Sequence, residues 1–239
     1  MEAQIYLVEQ PDGKYAEEAC LASTVMVHGD EPPEVCPRCG AWVSGRGWLR
    51  PRSIVLTNRN IPDFFYIWGA NVPFLLSERA LRVIREAGLT GIKNVEPIDD
   101  ARFLRKSKKE VEIPQYYHFE VERSMITMDQ ERSIIGYSSM SNEDRICPLC
   151  DPYGRTKNAH YGVSFHMEGY EGYDAFSTID NGSLLFVSQR FVDVCRENGL
   201  TNLHVCPVQD WGKESWKLFG QDKWDLWFSR EIDPREFEL

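Results

Sequence analysis

Hydrophobic positions in this chain change period from element to element. Behind Ser77, the residues Leu81, Ile84 and Ala87 recur every third position, and Gly88 follows. This spacing predicts a helix with one apolar stripe. Ser77 is its predicted N-cap, because a hydroxyl there accepts an otherwise orphaned backbone N–H. Gly88 is the predicted stop, because glycine takes the left-handed conformation without a Cβ penalty. IKNVEPI at 92–98 then reads as a strand closed by Pro97. The segment from Ser188 repeats the plan, with Phe191, Val192 and Cys195 on the inner face, Gly199 as stop and LHVCPV as the strand. FFYIW at 64–68 and SLLFVS at 183–188 read as buried strands, and YLVE and YHFEVE as two more. Strands outnumber helices, so the predicted fold class is α+β.

The resemblance between these segments extends along the chain. At an offset of 111 residues, Cys36 and Cys39 fall on Cys147 and Cys150, Pro37 on Pro148, Ser53 on Ser164, Asp63 on Asp174 and Phe65 on Phe176. Between Ser77 and Ile92, eight of sixteen positions are identical to their partners at that offset. Tyr6 and Glu9 fall on Tyr117 and Glu120, and Pro97 meets Pro207 after a one-residue slip. An offset held over so long a span reads as a tandem duplication. We expect two copies of a strand-rich α+β unit packed about a pseudo-twofold axis. Residues 1–111 form the first, with the CPRCG knuckle, and 112–239 the second, with the CPLCD knuckle and an acidic, tryptophan-rich tail.

Composition narrows the class. The chain has 239 residues, 42% hydrophobic and 27% charged, an ordinary globular balance. The longest apolar stretch, FFYIWGANVPFLL, is short for a membrane span and holds Asn71 and Pro73. The first residues lack the basic start and apolar run of a signal peptide, so the expected compartment is the cytoplasm. Net charge is −10. Residues 1–111 hold 15 basic and 15 acidic groups, whereas 112–239 hold 12 and 22 and so carry the whole imbalance. Such a surface disfavours nucleic acid and attracts a basic protein; solubility alone is the plainer explanation. The basic run Arg102, Arg105, Lys106, Lys108 and Lys109 falls where the copies join and reads first as a solvated linker.

Cys36, Cys39, Cys147 and Cys150 form two C-P-x-C knuckles. A CxxC turn presents two thiolates to one metal, and two such turns complete a tetrahedral zinc shell. A pseudo-twofold arrangement would bring both knuckles to a single ion. Four thiolates leave no open position, so that zinc is structural, one per chain. Other readings stay open: a redox-active pair, two separate zinc sites completed by groups such as His28 and His160, or metal-free knuckles. Cys20, Cys195 and Cys206 have no cysteine partner at the offset and read as small buried residues.

No motif for a nucleophile elbow, phosphate loop, dinucleotide fold or zinc protease occurs. The five histidines, His28, His118, His160, His166 and His204, are scattered. Asp63 and Asp174 recur at matched positions; each caps a turn within its own copy, or the two form an acid–base pair. The tail holds Trp211, Trp216, Trp224 and Trp227, a composition suited either to closing the core or to a protein interface.

The paired knuckles, each followed by Leu75-Leu76-Ser77-x-Arg79 or Phe186-Val187-Ser188-x-Arg190 and then GLT, resemble the double-CXXCG motif family of myxobacteria. The SER…GLT segment also looks like one found among immunity proteins of polymorphic toxin systems. The resemblance implies a non-enzymatic immunity protein that binds a cognate toxin and covers its active surface. It implies Cys36, Cys39, Cys147 and Cys150 as the motif cysteines. Asp151 stands where the family pattern has glycine, which eases the turn behind the metal; Asp tolerates a left-handed turn better than most residues, so the site is expected to survive with lower affinity. With internal symmetry already present, a monomer is expected. The alternative class is a zinc-dependent nucleic-acid-binding or regulatory protein, supported only by the 102–109 run.

Overall fold

The computed structural model describes residues 4–9, 21–24, 30–31, 35–40, 47–48, 50–56, 61–67, 74–103, 111–129, 131–141, 155–160, 162–212 and 226–228. Before residue 111 the strands are β1 (Ile5–Val8), β2 (Leu21–Thr24), β3 (Asp30–Glu31), β4 (Gly47–Trp48), β5 (Ser53–Leu56), β6 (Phe64–Ile67) and β7 (Phe74–Ser77). Helix α1 (Glu78–Glu86), β8 (Ile92–Pro97) and β9 (Asp100–Phe103) follow. After it come β10 (Tyr116–Ser124), β11 (Thr127–Met128), β12 (Ile135–Ser141), β13 (Arg155–His160), β14 (Phe165–His166), β15 (Ala175–Thr178) and β16 (Asn181–Ser188). Helix α2 (Gln189–Glu197), β17 (Val205–Pro207) and β18 (Leu226–Phe228) complete the order. The fold is α+β, and none of its described helices is long and apolar enough to cross a membrane.

One eleven-stranded sheet runs through both halves in the order β17-β1-β16-β15-β10-β7-β6-β2-β5-β9, with β8 also on β10. Its central feature is an exchange of first strands. β1 lies between β16 and β17 of the other half, and β10 pairs with β7 and β8 of the first. The registers match. Ile5 faces Ser188 and Tyr6 faces Val187; at the 111 offset, Tyr116 faces Ser77 and Tyr117 faces Leu76. Tyr6 also faces Pro207, and Tyr117 faces Pro97, which reproduces the one-residue slip.

Both helices begin and end as their residues predict. The Ser77 and Ser188 hydroxyls accept from the N–H groups of Ala80 and Phe191. Gly88 and Gly199 turn each chain out of its helix at φ +62° and +59°. In α1 the buried positions are Ala80, Leu81 and Ile84, whereas Ala87 is only half-buried. Alternation along the strands feeds three core clusters. Phe64, Leu76 and Val187 join the helices in one cluster. Their neighbours Phe65 and Leu75 point into a second cluster, and Phe186 into a third. Both faces of these strands are therefore covered, which is why they read as unbroken apolar runs.

Residues 100–103 correct the linker reading. They form β9, paired in parallel with β5 at the sheet's edge, and Arg102 is exposed on it. Charge on an edge strand discourages further pairing, so a charged sequence here is compatible with a strand. Arg105, Lys106, Lys108 and Lys109 lie outside the described residues. Of the tail tryptophans, Trp211 packs against the core of Phe176 and Phe186. Trp227 lies in β18, which pairs with β12, and Trp216 and Trp224 lie outside the described residues.

Candidate functional site

Asp63 and Asp174 are where the halves meet. Both side chains are buried, Asp63 just before β6 and Asp174 just before β15. Asp63 Oδ1 accepts from Ser77 Oγ at 2.7 Å, and Oδ2 accepts from Arg79 at 2.9 Å. Two more donors reach Oδ2 from 138 residues away: the backbone N–H of Thr201 at 2.9 Å and its hydroxyl at 3.2 Å. Asp174 is held the same way, by Ser188 at 2.8 Å, Arg190 at 2.9 Å, and the N–H and hydroxyl of Thr90 at 3.0 and 3.2 Å. Each arginine also reaches across the halves. Arg79 donates to the carbonyls of Asn198 and Gly199, and Arg190 to those of Ala87 and Gly88. We refer to these two sets as latches.

The backbone around the latches follows the same rule. Phe64 N–H donates to Thr201 O at 3.2 Å, and Ala175 N–H to Thr90 O at 3.0 Å. Gly91 and its counterpart Asn202 both take positive φ, +93° and +64°. Their solutions differ. A Cβ on Gly91 would run into the carbonyl oxygen of Ala175. Asn202 keeps a side chain and donates from it to Phe64 O at 2.7 Å.

The reading of Asp63 and Asp174 as caps within their own copies is therefore incomplete. Each bonds its own helix-capping serine and also the far half. Both carboxylate oxygens in each latch already accept hydrogen bonds, so neither is poised to take a substrate proton. Their role is to satisfy buried donors. Burial and the Asp63 charge push the thiol of Cys195 up to about 12, which makes it an inert core residue. In the sequence, Thr90, Thr201, Arg79 and Arg190 stood out only as polar residues kept at the offset and within the motif of the resemblance.

The first cysteine knuckle is a closed turn. Gly40 N–H donates to Cys36 O at 2.9 Å, and Gly40 takes φ +72°, the conformation that suits glycine. Cys36 is buried and Cys39 exposed. Cys147 and Cys150 lie outside the described residues, as do Cys20, His28 and Asp151. Among the described residues, no group of three or more His, Cys, Asp and Glu side chains is placed to hold a metal ion.

Among the histidines whose side chains the structure describes, His118 is the most enclosed. Burial, helped by the Arg52 charge, lowers its pKa to about 4. Arg52 in turn bonds Glu96, and that bond holds the Glu96 carboxyl below its usual value. His166 is exposed, 3.8 Å from Asp129.

No curated protein matches the chain. A protein-family match covers residues 57–210, which is more than half of the chain. The matched stretch contains every residue of both latches and leaves out Cys36 and Cys39. On that match the chain belongs to the immunity protein family Imm11.

Proposed function

We propose that this chain is the immunity partner of a toxin, made in the cytoplasm, and that it neutralises the toxin by binding and covering its active surface. Family membership across residues 57–210 carries this reading. Two further observations support it. Latch carboxylates saturated with donors suit a scaffold that holds a surface rigid. The acidic surplus after residue 111 suits a basic partner. The zinc-dependent nucleic-acid reading has only the 102–109 run behind it. To test the proposal, the chain and the product of the adjacent toxin gene are purified and mixed. Toxin activity should fall to zero at one equivalent, with a 1:1 complex on sizing. Full activity at tenfold excess would contradict it.

The double-CXXCG relationship belongs to the same proposal, as does descent by tandem duplication of a unit related by a pseudo-twofold axis. The recurrence of pairings and latches at one offset supports that descent. On this reading, Cys36, Cys39, Cys147 and Cys150 hold one structural zinc in a monomer. The tight Cys36–Gly40 turn supports it. Protein purified without chelator should carry one equivalent of zinc and masked thiols. Metal-free protein with freely reactive thiols would contradict it.

A further inference from the structure

The loop between β14 and β15 differs in sequence from its counterpart in the first half. At the 111 offset its residues EGYEGY, 168–173, fall on TNRNIP, 57–62. Two carboxylates and two tyrosines stand where the first half has an arginine and no aromatic ring.

This loop is held from beneath. The Tyr170 ring lies 5.3 Å from that of Phe176, and its hydroxyl donates to Tyr173 O at 2.7 Å. Tyr170 N–H donates to Met167 O at 3.1 Å, and Gly169 and Gly172 turn the chain at φ +83° and +79°. Ser124 at the end of β10 donates to Glu171 at 2.7 Å. Met125 follows Ser124 and is 57% exposed; Val35 is the other large apolar side chain so exposed among the described residues. Gly169 lies against Met125, since a Cβ there would sit 3.9 Å from the Met125 Cβ. Glu168, next to Gly169, and Glu171, bonded to Ser124, are exposed, and Met167, Tyr170 and Tyr173 are half-buried with their inner faces on the core.

Methionine and tyrosine are enriched at the centres of protein interfaces, and acidic groups at a rim select a basic face. A loop already fixed by its own bonds loses little entropy on binding. The latch carboxylates, by contrast, are buried and already paired with arginine. We propose that the ridge of Met125, Glu168 and Glu171 grips a basic patch of the cognate toxin. Met125 enters an apolar recess there, and the two glutamates meet lysine or arginine around it. This inference rests on the immunity reading.

The probe is the purified product of the adjacent toxin gene, titrated calorimetrically with the full chain. Met125→Glu and Glu168→Lys are the ridge variants. Glu86→Lys, the same charge change on the exposed side of α1, is the control. All three should unfold at the parent's temperature. Each ridge variant should weaken Kd by about tenfold or more, and the control should leave it unchanged. Glu168→Gln should also flatten the salt dependence of binding. Ridge variants that bind as tightly as the parent overturn the ridge and leave the immunity reading standing. A parent chain that does not bind the probe overturns the immunity reading, and the ridge falls with it.

Discussion

Asp174 follows Tyr173 in the chain, yet the latch that begins at one and the loop that ends at the other, which carries the ridge glutamates, obey opposite rules. The latch carboxylate is buried, saturated with donors, and has a twin in Asp63. The ridge glutamates are exposed and have no twin. Where the halves agree, the shared residues hold the halves to each other. Where they differ, a surface is free to recognise something else. Charge follows the same division, because the two latches are alike while the net −10 comes from the second half alone.

The largest way to break this comparison is to empty a latch. Asp63→Ala leaves the Thr201 N–H and hydroxyl without their acceptor and the Arg79 charge without its partner. We expect a loss of about 4 kcal/mol, and a similar loss for Asp174→Ala, by denaturant unfolding. Both variants should unfold in one transition, because each latch spans the two halves. Unequal losses, or two transitions, would mean that the latches are not equivalent.

The next test uses a matched position beside the latches where the two halves differ. Gly91→Ala forces a side chain into the Ala175 carbonyl at positive φ and should cost about 3 kcal/mol. At the same place in the other half, Asn202→Gly loses a hydrogen bond but relieves a positive φ. Its cost should stay below about 1 kcal/mol. Thermal unfolding of the two variants checks the ratio.

Acid sharpens the comparison through His118, whose equivalent at the offset is Leu7. The pKa of His118 is lowered in the folded chain to about 4, so the unfolded chain binds the extra proton first as pH falls. Stability is then complete above about pH 6.5 and declines toward pH 4, by roughly 2–3 kcal/mol. His118→Leu should flatten that slope. Denaturant midpoints measured between pH 7 and 4 would show it.

Much of the local structure was legible in the sequence. Ser77, Gly88 and their counterparts act within a few residues of themselves, so capping and spacing suffice to read them. The exchange of first strands was not legible, because YLVE and YHFEVE carry an alternation that fits any neighbouring strand. Nor did anything near Asp63 announce an acceptor for Thr201, whose only trace was a threonine kept at the offset. β9 was hidden by its charges, which suit an edge strand as well as a linker. The ridge was hidden because a glycine-rich, tyrosine-rich stretch reads as loop whether or not its rings are anchored.

The most direct test of the central claim is protection of a growing cell. The gene next to the one for this chain is expressed in a naive host as the candidate toxin, with and without this chain. We predict that the toxin alone stops growth and that the chain restores it, with Glu168→Lys restoring it less. Growth arrest that persists beside abundant folded chain would contradict the account.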